Sequence, residues 1–166
     1  IQGTGANFIG KGAARAVEEM IEDYAKTRGY ISAIEKKRIT LSGKKHKQAH
    51  IVLTNRWRII FSSEPDVAVR DPQNRLQSAI EIKGSMDKAG AQTRLGEAKK
   101  SFAKAKSENA HCKAIYLASC FTDAVLAQLK TEREVDQHFN LVDIMADPSE
   151  KAAFLRELFH YLIRIE

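Results

Sequence analysis

Cysteine is nearly absent: Cys112 and Cys120 are the only two in 166 residues. Two thiols make no disulfide framework, and their spacing matches no zinc pattern. A reducing, cytoplasmic setting is therefore expected. Three prolines and nine glycines exclude a collagenous or low-complexity chain. No apolar run approaches the roughly 18–20 residues of a membrane span. The N-terminus carries no charged-then-apolar stretch, so no secretory signal is expected. The first residue is Ile1, not Met, which leaves room for a longer protein around this segment.

What remains is ordinary globular composition. Hydrophobic residues make up 43% and charged residues 29%, enough apolar surface for one domain over residues 1–166. The net charge of +6 is compatible with a polyanion such as DNA without requiring one.

The first clear period runs from Gly10 to Arg28. There Ala13, Val17, Met20, Ile21 and Tyr24 recur at helical steps, and Gly29 is a plausible stop. A second helix is expected over Ile31–Lys37. Residues 36–50 are dominated by Lys36, Lys37, Arg38, Lys44, Lys45 and Lys47, with His46 and His50. They read as a solvated loop or helix face, or as a patch that contacts phosphates. Three strand-like runs follow, Arg58–Ser62, Asp66–Arg70 and Leu76–Lys83, with a turn at Asp71–Asn74. A helix over Asp87–Ser107 carries Ala91, Leu95, Ala98 and Phe102 on one side and many lysines on the rest. Ala114–Ala118 reads as a buried strand, Thr122–Lys130 as a capped helix, and Phe139–Ile144 as another strand. Pro148 opens a last helix to Arg164, with Phe154, Leu158, Tyr161 and Leu162 inward. The expected fold class is α/β, a mixed sheet with helices on both faces.

The chemistry concentrates in Pro65-Asp66, fourteen intervening residues, then Glu81-Ile82-Lys83. With the turn at Asp71–Asn74, Arg70 pairs with Arg75 and Asp66 with Ala79. Glu81 is then the diagonal neighbour of Asp66, roughly 7–8 Å away. Asp66, Glu81 and Lys83 share one face, because side chains alternate with period two. Val67, Val69, Leu76, Ile80 and Ile82 take the other. Two close carboxylates repel, and each is costly to bury. A divalent cation removes the conflict: Mg²⁺ takes one or two carboxylates, keeps waters and accepts phosphate oxygens. Lys83 would position and deprotonate the attacking water, and the Ile82 carbonyl is a further candidate ligand.

Pro65-Asp66 with Glu81-Ile82-Lys83 resembles the PD-(D/E)XK nuclease signature, and the element order resembles that superfamily's αβββαβ core. The stretch from Glu81 through Gly84-Ser85-Met86-Asp87 and Gln92-Thr93-Arg94-Leu95-Gly96-Glu97 to Phe102 resembles restriction endonucleases of the XcyI type. That resemblance implies a Mg²⁺-dependent enzyme that cuts double-stranded DNA at a short GC-rich palindrome. It makes Asp66 and Glu81 metal ligands and Lys83 the catalytic lysine. Many such nucleases carry a further acid on the helix before the sheet. Of Glu18, Glu19 and Glu22, Glu18 borders the apolar face and ranks first as a metal ligand. On the helix after Lys83, Gln92 and Arg94 are candidates for the scissile phosphate or a base edge. Lys44, Lys45 and Lys47 are further candidates for DNA. Glu64 is a supporting acid or a surface one.

Other signals carry less. Gly5–Gly12 approximates a phosphate-binding loop, but Gly12 stands where Ser or Thr should hold Mg²⁺. Too few residues precede it for the launching strand, so no nucleotide cofactor is expected. It reads instead as a glycine segment entering the first helix, whose amides could meet a DNA phosphate. His111, Cys112 and Cys120 lack an acid partner at useful spacing. His138 and His160 read as structural or surface groups. Trp57 could stack on a base, though core packing explains it as well.

The expectation is a Type II restriction endonuclease, or its catalytic part, acting as a homodimer because a palindrome needs two cuts. A junction-resolving or repair nuclease of the same fold is the near rival. A DNA-binding module without turnover is the distant one, and it predicts metal-independent, salt-sensitive binding.

Overall fold

Seven strands form one sheet, and their order across the sheet is their order along the chain. The computed structural model describes residues 11–166; the Gly5–Gly10 part of the glycine segment lies outside them. Helix α1 (Lys11–Thr27) precedes β1 (Ile31–Leu41), β2 (Lys44–Leu53), β3 (Arg58–Phe61), β4 (Val67–Arg70) and β5 (Leu76–Lys83). Then come α2 (Ala91–Glu108), β6 (Lys113–Ala118), α3 (Asp123–Thr131), β7 (Gln137–Asn140), α4 (Leu141–Ala146) and α5 (Pro148–Arg156). Strands β1 to β5 are an antiparallel meander, and β5, β6 and β7 run parallel. Parallel neighbours need crossovers, which α2 and α3 supply. The fold is α/β with a mixed sheet, as expected, and is of the restriction-endonuclease-like type.

Each face of the sheet has its own core. On one face Val17 and Ile21 of α1 and Phe154 and Leu158 at the C-terminal end pack on Ile59, Val69, Ile80 and Leu117. On the other, Leu95, Ala98 and Phe102 of α2 and Val125 of α3 pack on Ala68, Ala79 and Tyr116. Trp57 packs at the margin of the first core.

The meander has five strands, not three. Ile31–Lys37 is not a helix: it opens β1, and the basic stretch of residues 36–50 is a β-hairpin rather than a loop or helix face. Isoleucine and threonine at 31, 34, 39 and 40 favour extended backbone. The Ser42-Gly43 dipeptide closes the hairpin with φ of 50° and 75°, the two positive values of a two-residue hairpin turn. The C-terminus also differs. The extended stretch ends at Asn140, whose side chain accepts from Asp143 N and starts α4. The last helix breaks into a π-helical turn over Glu157–Leu162. A π turn takes extra residues, so Leu158 stays buried while Tyr161 swings out to 64% exposure.

A bulge in β5 sets the register that matters. Val69 pairs with Ser78 but Arg70 pairs with Leu76, so Gln77 is the extra residue. Leu76 therefore joins Ala79 in the core beneath α2, not Ile80 and Ile82 on the other face. Asp71 holds the turn. Its Oδ1 accepts from the backbone N–H groups of Gln73 (3.0 Å) and Arg75 (2.9 Å), and its Oδ2 from Arg75 Nε and Gln77 Nε2, both at 2.9 Å. Asp71→Ala strands these donors and is expected to cost about 1–3 kcal/mol, read as a lower urea midpoint. An unchanged midpoint would show that the turn holds without it.

Candidate active site

Asp66 stands at the head of β4 and Glu81 lies within β5. Beyond the bulge Val67 pairs with Ile80, which sets Asp66 directly opposite Glu81. The sequence placed them diagonally, with Asp66 facing Ala79; the turn moves the register by one, pairing Arg70 with Leu76 rather than Arg75, and the extra residue at Gln77 moves it by one more. Both carboxylates face α2, because Ala68 and Ala79, each two residues away, belong to the core beneath that helix. Lys83 follows Glu81 on the same face.

The acid pair is tied into the backbone. Asp66 N donates to Glu81 Oε2 at 3.2 Å, and Ile82 N donates to Asp66 Oδ2 at 2.8 Å. Ser101 of α2 donates its hydroxyl to the same Glu81 Oε2 at 3.1 Å. One oxygen of each carboxylate is thus fixed. Asp66 Oδ1 and Glu81 Oε1 take no hydrogen bond from the described residues.

Burial has an electrostatic consequence. Glu81 is only 6% exposed. Desolvation, and then the neighbouring Asp66 charge, push its pKa up to about 7. Desolvation also raises Asp66, against the Ile82 N–H and the Lys83 charge. Lys83 Nζ is held by Glu97 Oε2 of α2 at 3.2 Å. Ser101 and Glu97 are site partners the sequence did not identify. The available signal was their i, i+4 spacing beside the buried stripe Leu95, Ala98 and Phe102.

Glu18 does not join the pair. Its helix packs on the opposite face of the sheet. Burial, and then the charge of Glu22, raise its pKa; the other charges near it are Arg15, Lys36 and Glu19. Among the described residues no three His, Cys, Asp or Glu side chains form a metal-sized group. Two carboxylates suit an ion that keeps several waters, as Mg²⁺ does, and do not suit an all-protein cage. The side chain of Ile82 is buried in the opposite core, and its N–H is taken by Asp66.

The DNA candidates divide. Gln92 is exposed on the first turn of α2. Arg94 bonds back to the carbonyl oxygen of Asp87. The α2 lysines are partly neutralised, Lys99 by Glu132 at 2.6 Å and Lys106 by Asp136 at 2.7 Å. Lys44 pairs with Leu41, Lys45 with Thr40 and Lys47 with Arg38. By alternation Lys44 falls on the site side of the hairpin, and Lys45 and Lys47 on the far side. Glu64 is exposed.

A family model for the XcyI restriction endonuclease matches residues 1–163. The chain belongs to the XcyI restriction endonuclease family. No curated protein sequence matches it. Membership in the XcyI family implies DNA-cleaving nuclease activity, and restriction endonucleases generally use divalent metals. Among the described residues, no helix of this XcyI-family chain is long and apolar enough to cross a membrane.

Proposed function

We propose that the chain is a Mg²⁺-dependent Type II restriction endonuclease of the PD-(D/E)XK kind, which cuts both strands of double-stranded DNA at a specific site. The observation that carries this reading is the facing pair Asp66 and Glu81 with Lys83 beside it. Asp66 and Glu81 would hold the cation through their unbonded oxygens, with the Ile82 carbonyl as a further donor. Bound there, the cation would polarise a phosphoryl oxygen and acidify the attacking water. Lys83 positions that water and offsets charge on the phosphate as water attacks phosphorus in line and the 3′ oxygen leaves. Glu97 keeps the Lys83 ammonium directed at the site. Lys44, Gln92 and Arg94 contribute to holding the duplex. Two cuts in a palindrome call for two sites, so the enzyme acts as a two-fold homodimer, in the cytoplasm where foreign DNA arrives. A DNA-binding module without turnover would gain nothing from two facing carboxylates, Glu81 buried and Asp66 half-buried, which repel a phosphate backbone.

The test is plasmid DNA incubated with the protein in Mg²⁺ and in EDTA. Discrete fragments in Mg²⁺ alone are expected, and mapping their ends gives the recognition site. Fragments that form in EDTA would overturn the metal requirement. An intact plasmid with retained binding would leave the binding module. Cutting confined to branched DNA would move the reading to a junction-resolving enzyme.

A further inference from the structure

The pairing across the sheet places one row of polar side chains on the site face. Lys37 pairs with Gln48. Extending the β2–β3 register from Ala49 and Phe61 sets Gln48 opposite Ser62, and Gln48 Nε2 lies 3.4 Å from Ser62 Oγ. Ser62 N bonds to Asp66 O at 3.1 Å, and Asp66 faces Glu81. The row therefore runs Lys37, Gln48, Ser62, Asp66, Glu81. Adjacent strands lie about 4.8 Å apart, so Gln48 is about 10 Å from Asp66 and Lys37 about 15 Å. Ten ångströms is about three base-pair steps of duplex. Helix α2 packs over β5 and β6, whereas Lys37 is exposed and Gln48 and Ser62 are half-buried.

Gln48 is held in one orientation. Arg58 Nη1 lies 2.8 Å from Glu35 Oε1 and 3.5 Å from His50 Nδ1. Burial, and then the charges of Lys37 and Arg58, disfavour the protonated form of His50. A guanidinium can only donate, so Nδ1 accepts and Nε2 carries the proton. His50 Nε2 then donates to Gln48 Oε1 at 2.9 Å. This fixes the amide, with oxygen toward His50 and nitrogen toward Ser62 and the acids. One amide hydrogen meets Ser62, and the other is left for an outside acceptor.

We infer that the β1–β3 part of this face is the track along which duplex DNA reaches the acid pair, and that Gln48 donates a hydrogen bond to the DNA there. This rests on the nuclease reading, which requires the scissile phosphate to approach Asp66 and Glu81 from the α2 side. Lys37 supplies a cation to the same track. Lys36 and Arg38 alternate to the other side and face away from it. The acceptor is a phosphate oxygen or an acceptor on a base edge, such as guanine O6 or N7.

Two measurements test this: binding of a short random-sequence duplex in EDTA at several salt concentrations, and plasmid cleavage in Mg²⁺. Gln48→Ala is expected to lose about tenfold to a hundredfold in cleavage. Gln48→Glu keeps the size, removes the donor and should lose more. Lys37→Ala should lower the slope of log affinity against log salt by about 1. Lys36→Ala with Arg38→Ala removes two charges from the other side and should change binding and cleavage by less than about threefold. Unfolding midpoints confirm that each variant folds. If Gln48→Ala weakens random-duplex binding as much as cleavage, the acceptor is a phosphate; if it alters only which sites are cut, the acceptor is a base edge. Gln48 variants that cut like the wild type, or equal damage from the Lys36/Arg38 pair, would overturn the track. A wild type that cuts nothing while the two sides still differ in binding would overturn the nuclease reading alone.

Discussion

Asp66→Asn is expected to slow plasmid cleavage by about a thousandfold or more while leaving the duplex bound. The substitution keeps the size of the side chain and one oxygen to accept from Ile82 N, so the β4–β5 hairpin has no reason to move. What it removes is the negative charge at the head of β4. That charge, with Glu81, is what draws a divalent cation to this point of the sheet. Electrostatic stabilisation supplied there is worth several kcal/mol in the transition state, and each 1.36 kcal/mol is tenfold in rate. Duplex binding draws on Lys37, Gln48 and the other cations of the site face, not on Asp66. It should stay level or tighten slightly, because one charge that repels phosphate is gone. The measurement is initial cleavage rate in Mg²⁺ beside duplex affinity in EDTA. An Asp66→Asn protein that still cuts within tenfold of wild type would remove Asp66 from the site. One that loses binding together with cleavage would show that Asp66 shapes the fold.

Much of this was legible in sequence, for reasons that differ by element. The pair Asp66 and Glu81 could be placed on one face because alternation along a strand is rigid. The same alternation could not give their register, since a bulge at Gln77 leaves no local sign. The buried stripe of α2 was plain from Ala91, Leu95, Ala98 and Phe102, all buried. Its site contacts through Glu97 and Ser101 were not, because they depend on how α2 lies across β5. The β1–β2 hairpin was missed where charge outweighed shape. Lysine and arginine take six of residues 36–47 and outweigh Ile39 and Thr40, which mark a strand. Glu18 shows the opposite failure. Its place beside the apolar stripe of α1 was right, but a stripe cannot say which face of the sheet the helix covers.

Glu81→Gln is expected to abolish cleavage and yet make the metal-free protein more stable at pH 8. Burial and the Asp66 charge raise the pKa of Glu81 from 4.5 to about 7. The folded chain therefore holds this proton across a window where the unfolded chain has lost it. With more protons bound in the folded state, stability falls as pH rises from about 4.5 through 7. The full shift corresponds to an upper bound of about 3 kcal/mol, and Asp66, raised in the same direction, adds to it. Glutamine carries no charge to desolvate, and its oxygen can still accept from Asp66 N and Ser101 Oγ. The variant should thus gain about 1–3 kcal/mol over wild type at pH 8 in EDTA, with little difference at pH 4. Mg²⁺ should restore stability to the wild type by binding only the folded state, and should do little for the variant. Urea midpoints at both pH values, with and without Mg²⁺, give the answer. A variant less stable than wild type at pH 8 would mean that Glu81 is a structural acid. A gain in stability tied to a loss of cutting would mean that this hairpin keeps two repelling carboxylates for the ion they hold together.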